Sequence, residues 1–117
     1  MVKQNKKVLV IEDMAPVRDL LNKVLSSEGY TVRACEDGLR ALNAASRDVF
    51  HAVITDYRLP HMNGVDVTRH LRAKLPESVI IGVSIADKGD DFLAAGANVF
   101  LLKPYAYDEI LAIISRA

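Results

Sequence analysis

The sequence predicts an α/β fold: a doubly wound, five-stranded parallel sheet with helices on both faces. Three observations lead there. Short apolar, β-branched runs recur five times: KVLVIE from Lys7, TVRAC from Thr31, AVITD from Ala52, SVIIGVS from Ser78 and NVFLLK from Asn98. A helical pattern follows each run, and strict alternation of strand and helix favours a parallel sheet. Several runs are apolar throughout rather than at every second residue, as expected of strands covered on both sides. With five strands, the flavodoxin-like order 2-1-3-4-5 suits the pattern best.

The helices follow in order. Val17, Leu20, Leu21, Val24 and Leu25 share one face of the first, with Pro16 in its opening turn and Glu28-Gly29 at its end. The second runs from Leu39 through Leu42, with Asp37 placed to cap it. The third follows Gly64, turns Val67 and Leu71 inward and stops at Pro76. The fourth, in KGDDFLAAG, is short. The last carries Tyr107, Ile110, Leu111 and Ile114 on one face. Gly64 reads as serving the turn after Pro60.

The chain of 117 residues fits one domain, and its 50% hydrophobic content suffices for a packed core. Lys plus Arg and Asp plus Glu number 15 each, so there is no basic surplus of the kind nucleic-acid binders carry. Lys3, Lys6 and Lys7 make the start mildly basic, and residues 1–6 read as a solvated, flexible tail. The lone Cys35 has no disulfide partner or metal-spaced neighbour, and reads as a small buried hydrophobe in a reducing compartment. Without a signal core or a membrane-length apolar run, a soluble cytoplasmic protein is expected.

The strand ends carry the chemistry. In an open α/β sheet, ligands bind beyond the carboxyl ends of the strands, near the switch point. The first strand ends in Glu12-Asp13, the third in Asp56, the fourth in Ser84 and the fifth in Lys103. An ionised acid at the end of an apolar strand is costly unless something uses it. Two like charges about 5 Å apart repel by roughly 3 kcal/mol at an effective dielectric of 20. A hard divalent cation relieves that repulsion, and Mg²⁺ suits one or two carboxylates combined with waters and phosphate oxygens. A carboxylate can itself be the nucleophile that accepts a phosphoryl group. Asp56, on the central strand, is the choice for that role, with Lys103 and Ser84 to steady the transferred group.

Assembled in this order, VLVIEDMAPVR, VITDYRLPHMNG and AGANVFLLKP make the chain resemble a response-regulator receiver domain of two-component signalling, from Val8 to the final helix. The resemblance implies that Asp56 takes phosphate from a histidine kinase or phosphotransfer protein and then switches an interaction surface for a downstream effector. It implies Mg²⁺ held by Asp13, by Asp56, by Glu12 through water and by the main-chain carbonyl of Arg58. Ser84 and Lys103 would contact phosphoryl oxygens, Phe100 would occupy the aromatic switch position, and the Lys103–Pro104 peptide would be cis. No direct nucleic-acid or membrane contact is implied, and dimerisation is compatible with it. Within its 117 residues the sequence carries no effector segment, which leaves a stand-alone receiver and a piece of a larger regulator both open.

Two departures from the family stand out. Ile85 follows Ser84, where a small residue is usual, and the stretch from Ser84 to Lys103 is shorter by about one helical turn, roughly 3.6 residues. Both motivate an alternative, a pseudo-receiver of the same fold that works without phosphate. A small hydrolase with an aspartyl nucleophile is disfavoured, because the position two residues after Asp56 holds Arg58 and not a second acid. Taken singly, Asp13 reads equally as a helix cap, and a lone Lys103 is most often a strand-end charge. His51, His61 and His70 form no metal-spaced pair and read as ordinary histidines.

Overall fold

The computed structural model describes residues 6–117. Strands and helices alternate as β1 Lys7–Ile11, α1 Ala15–Ser27, β2 Thr31–Cys35, α2 Gly38–Arg47, β3 Ala52–Asp56, α3 Gly64–Lys74, β4 Val79–Ser84, α4 Gly89–Ala95, β5 Val99–Leu102 and α5 Tyr107–Arg116. All pairings are parallel and the strand order is 2-1-3-4-5. The Lys6 carbonyl accepts a hydrogen bond from the Thr31 N–H, so residue 6 is already joined to the sheet. The remainder of the expected tail, residues 1–5, lies outside the described residues.

Side chains of the inner strands alternate between two cores, as the pleat requires. On one side Leu9, Ile11 and Val53 meet α2 and α3 through Ala41, Ala44, Val67 and Leu71, and α4 through Phe92. On the other, Val8, Val10, Ile54 and Ile81 meet α1 and α5 through Leu21, Leu25, Ile110 and Ile114. The edge strands β2 and β5 are only partly covered, which departs from an all-buried sheet.

Helix ends follow from local chemistry. The Asp37 carboxylate accepts the Arg40 N–H at 2.8 Å, and Asn63 accepts the Asp66 N–H at 2.9 Å, so α2 and α3 each begin on a side-chain cap. α1 begins at Met14 without a side-chain cap, with Pro16 in its first turn. Asp13 is therefore not its cap. One expectation for α1 is corrected: Leu20 is 46% exposed, because the buried line runs through Leu21 and Leu25, one turn apart. Similarly, α2 buries its alanines, and Leu39 at its start faces solvent.

α4 has seven residues and ends on Gly96, whose φ of 115° is a left-handed value suited to glycine. Its position is fixed from two sides. Phe92 is fully buried in the space that Gly82 leaves on β4, where a Cβ would lie 2.3 Å from the ring. The Arg72 guanidinium, from α3, bonds the carbonyls of Gly96, Leu75, Pro76 and Ser78 and the side chain of Asn98.

Candidate functional site

Strand register gathers the polar residues. β1 and β3 pair Ile11 with Thr55, so Glu12 emerges beside Asp56. β3 and β4 pair Asp56 with Val83, and β4 and β5 pair Ser84 with Leu102, so Ser84 and Lys103 emerge at the same rim. Carboxylate oxygens of Glu12, Asp13 and Asp56 lie within 4.8 Å of one another. A cavity of about 370 Å³ is lined by Asp13, Asp56, Arg58, Ser84, Ile85, Lys88 and Lys103, among others.

Each acid is held differently. Asp56 Oδ1 accepts the Tyr57 N–H at 2.8 Å, and Oδ2 accepts Lys103 Nζ at 3.1 Å. Glu12 is buried; its Oε2 accepts the Met14 N–H at 3.2 Å, and its Oε1 lies 3.5 Å from Lys103 Nζ. Asp13 is exposed at the mouth. Burial first, and the Asp56 carboxylate second, push the Glu12 carboxyl up to about 7. Burial alone would lower the Lys103 ammonium, but Asp56 and Glu12 outweigh it and its pKa is raised. Lys103 thus contacts two of the three clustered carboxylates, and their converging oxygens are chemically suited to a hard divalent cation.

Ser84 and Phe100, the residues expected to switch, lie on neighbouring strands. Ser84 is buried, and its Oγ accepts the Ala86 N–H at 3.1 Å. Phe100 is half-buried and stacks on Phe92, with ring centroids 5.7 Å apart. The Lys103–Pro104 peptide is cis. Ile85 is 73% exposed on the rim. It borders the cavity without closing it, so one of the two features that motivated a phosphate-independent reading leaves the pocket open.

Two residues of the site escaped the sequence reading. Gly64 does more than serve a turn: a Cβ there would lie 2.0 Å from the Asp56 carbonyl oxygen. The missing Cβ lets α3 start directly against the Asp56 backbone, with the Gly64 N–H donating to the Tyr57 carbonyl at 2.7 Å. Lys88 is the other; its ammonium lies 4.8 Å from the Tyr57 ring centroid, above the residue that follows Asp56. The histidines stay apart: His51 Nε2 meets the Ile114 carbonyl, His70 Nδ1 meets the Asp66 carbonyl and His61 is exposed in the loop before α3. Cys35 is buried, and that burial raises its thiol pKa, in keeping with a core role.

A doubly wound sheet with acids, a lysine and a hydroxyl converging over its strand ends defines a class of small α/β domains with a polar site at the carboxyl rim. The chain belongs to the response regulator receiver domain family, whose model matches residues 8–115. It is 34% identical over 111 residues to the response regulator MprA of Mycobacterium leprae, covering 92% of this chain and 49% of that protein. The chain thus spans about half the length of the curated relatives it matches.

Two solved structures resemble it over the same region. One is the receiver domain of a sensor histidine kinase from Pseudomonas aeruginosa PAO1, with a magnesium ion coordinated in its active-site cleft. That likeness has a TM-score of 0.86 and 30% identity over 97% of each chain. The other is a response regulator from Burkholderia pseudomallei with a phosphorylated aspartic acid, a calcium ion and citrate. There the TM-score is 0.88 and the identity 26%, covering 94% of this chain and 66% of that one. Among the described residues, no helix is long and apolar enough to cross a membrane.

Proposed function

We propose that Asp56 accepts a phosphoryl group from the phosphohistidine of a kinase or phosphotransfer protein, and that the resulting change switches a surface read by a downstream effector. The observation that carries this is the shared ammonium: Lys103 Nζ sits 3.1 Å from Asp56 Oδ2 and 3.5 Å from Glu12 Oε1 at the mouth of an open cavity.

Mg²⁺ would be held by Asp13, Asp56, the Arg58 main-chain carbonyl and, through water, Glu12. When bound it supplies positive charge that offsets the carboxylates and the phosphoryl oxygens. The chain's own residues do the rest. An Asp56 carboxylate oxygen forms the P–O bond as the donor's P–N bond breaks, and the electron pair of that bond leaves with the imidazole nitrogen. The product is a mixed anhydride on Asp56. Lys103 follows the charge from carboxylate to phosphoryl oxygen. The Ser84 hydroxyl, whose oxygen accepts from Ala86 N–H, keeps its proton to donate to another phosphoryl oxygen.

A phosphoryl group adds about −1.5 to −2 charge. Drawing Ser84 toward it moves the loop between β4 and α4, and Phe100, stacked on Phe92, answers by turning. The readout is the face formed by α4, β5 and α5. Incubation with Mg²⁺ and a small acyl phosphate should add the mass of one phosphoryl group, and Asp56→Asn should remove that addition. Amide exchange across residues 84–107 should change on phosphorylation. A wild-type protein that stays unlabelled, even with its kinase, would refute the assignment.

A further inference from the structure

Lys88 is out of place for a surface lysine. It stands just before α4 as its N-cap residue, where its ammonium, a donor without an acceptor, cannot cap the helix. It is only half-exposed, and among the described residues no carboxylate pairs with it. Its ammonium rests instead over the face of Tyr57, 4.8 Å from the ring centroid, and its side chain lines the cavity that holds Asp56, Asp13, Ser84 and Lys103. An aromatic face holds a cation only weakly where solvent reaches it, and it replaces no carboxylate as a hydrogen-bond partner. A lysine kept at a cavity mouth by so weak a hold exchanges readily to a stronger anionic partner.

Charge at the mouth points the same way. Lys103 already serves two buried carboxylates, Asp56 and Glu12. A phosphodonor brings further negative charge that Lys103 must share. Lys88 lines this cavity half-buried, with its ammonium already against the ring of the residue that follows Asp56, whereas Arg58 also lines it but is exposed.

We propose that Lys88 is a phosphoryl-recognising residue of this receiver. Parked on Tyr57 in the ligand-free domain, it swings onto the oxygens of the incoming donor and of the Asp56-bound phosphoryl group. This rests on the assignment of Asp56 as acceptor and adds a second lysine to its pocket. The move also has a mechanical consequence. Lys88 is followed by Gly89, whose missing Cβ faces the Phe100 ring, so recruiting Lys88 pulls the start of α4 along that ring. Arg72 holds the other end of α4 through Gly96. The helix therefore pivots about its C-terminal end when the anion arrives.

The test compares Lys88→Met and Lys88→Arg with the wild type, using acetyl phosphate with Mg²⁺ and following phosphorylated protein by mass. Lys88→Met should lower the second-order labelling rate about fivefold at low salt. That deficit should shrink as salt screens the attraction. Lys88→Arg should keep the wild-type rate. Beryllofluoride binding should weaken in Lys88→Met, whereas Mg²⁺ binding alone should be unchanged or tighter, since a neighbouring cation is gone. A merely structural lysine would move thermal stability and Mg²⁺ binding together and leave the salt dependence alone. Wild-type labelling rate and salt dependence in Lys88→Met would overturn the proposal, as would an Lys88→Arg variant as slow as Lys88→Met. If Asp56→Asn were labelled as fast as the wild type, the acceptor assignment would fall first and the role of Lys88 with it.

Discussion

Gly64→Ala is the substitution whose cost is written most directly in the structure. The new Cβ would meet the Asp56 carbonyl oxygen at 2.0 Å, its carbon at 2.8 Å and Tyr57 Cα at 3.0 Å. All three are backbone atoms, so no side chain can turn away. Neither partner can retreat easily. The Asp56 carbonyl is fixed by the Thr55 hydroxyl at 3.0 Å. The start of α3 is held by the Gly64 N–H to Tyr57 and by the Thr68 hydroxyl to the Gly64 carbonyl. Overpacking of a rigid site costs about 3 kcal/mol at the upper end of the usual range. Alanine returns at most about 1 kcal/mol through its better helix propensity. The net loss is about 2 kcal/mol. With an unfolding entropy of about 2.1 cal/mol/K per residue, that lowers the melting temperature by about 8 °C. The assay is thermal and urea unfolding of metal-free protein, beside Gly89→Ala as control. There the nearest atom is a Phe100 ring carbon at 3.2 Å, which can give way. Because the clash bears on the carbonyl of Asp56, one of the clustered acids, Mg²⁺ binding should weaken too. A Gly64→Ala protein that melts with the wild type and binds Mg²⁺ equally would refute the close-approach argument.

Other expected outcomes bear on charge and capping. Lys103→Met strands two buried carboxylates, so metal-free stability at alkaline pH should fall by about 3 kcal/mol. Mg²⁺ affinity should rise in that variant, because the cation competing for the same oxygens is gone; weaker Mg²⁺ binding would contradict the site. In metal-free protein Glu12 has its carboxyl raised from 4.5 to about 7. The folded state therefore binds the extra proton, and stability falls as pH rises from about 4.5 to about 7, by about 3 kcal/mol in all. Glu12→Gln should lack that slope, and saturating Mg²⁺ should abolish it in the wild type, as urea titrations at several pH values would reveal. Asp37→Ala removes the cap of α2 and should cost about 1 kcal/mol. The Asp37 carboxyl is lowered, chiefly by the Arg40 N–H, so its contribution exists above the ordinary carboxylate range and disappears as pH falls through the folded pKa.

Much of this was legible in the sequence because it is local. Acids that end apolar runs stand out against their neighbours, and parallel order carries Glu12, Asp56, Ser84 and Lys103 to one rim without any need of side-chain detail. The short α4 was likewise legible, from the count between Ser84 and Lys103. What remained hidden depends on contacts through space. Leu20 and Leu21 are both leucine, and only the tilt of α1 decides which is buried. Gly64 looks like any turn glycine until the backbone of Asp56 is placed against it. Gly82 and Phe92, ten residues apart, look unrelated until the ring of one fills the space left by the other. Lys88 sits among charged residues in KGDD, and its ring partner Tyr57 belongs to a different strand end.

The most direct trial of the central claim is chemical mapping of the phosphoryl group. Protein phosphorylated by an acyl phosphate in Mg²⁺ is reduced with borohydride, which converts an aspartyl phosphate to homoserine, and its peptides are then sequenced by mass spectrometry. Homoserine is expected at position 56, with the loss of all modification when Mg²⁺ is chelated before labelling. Modification at Asp13, at a histidine, or at position 56 without any metal would contradict the central claim.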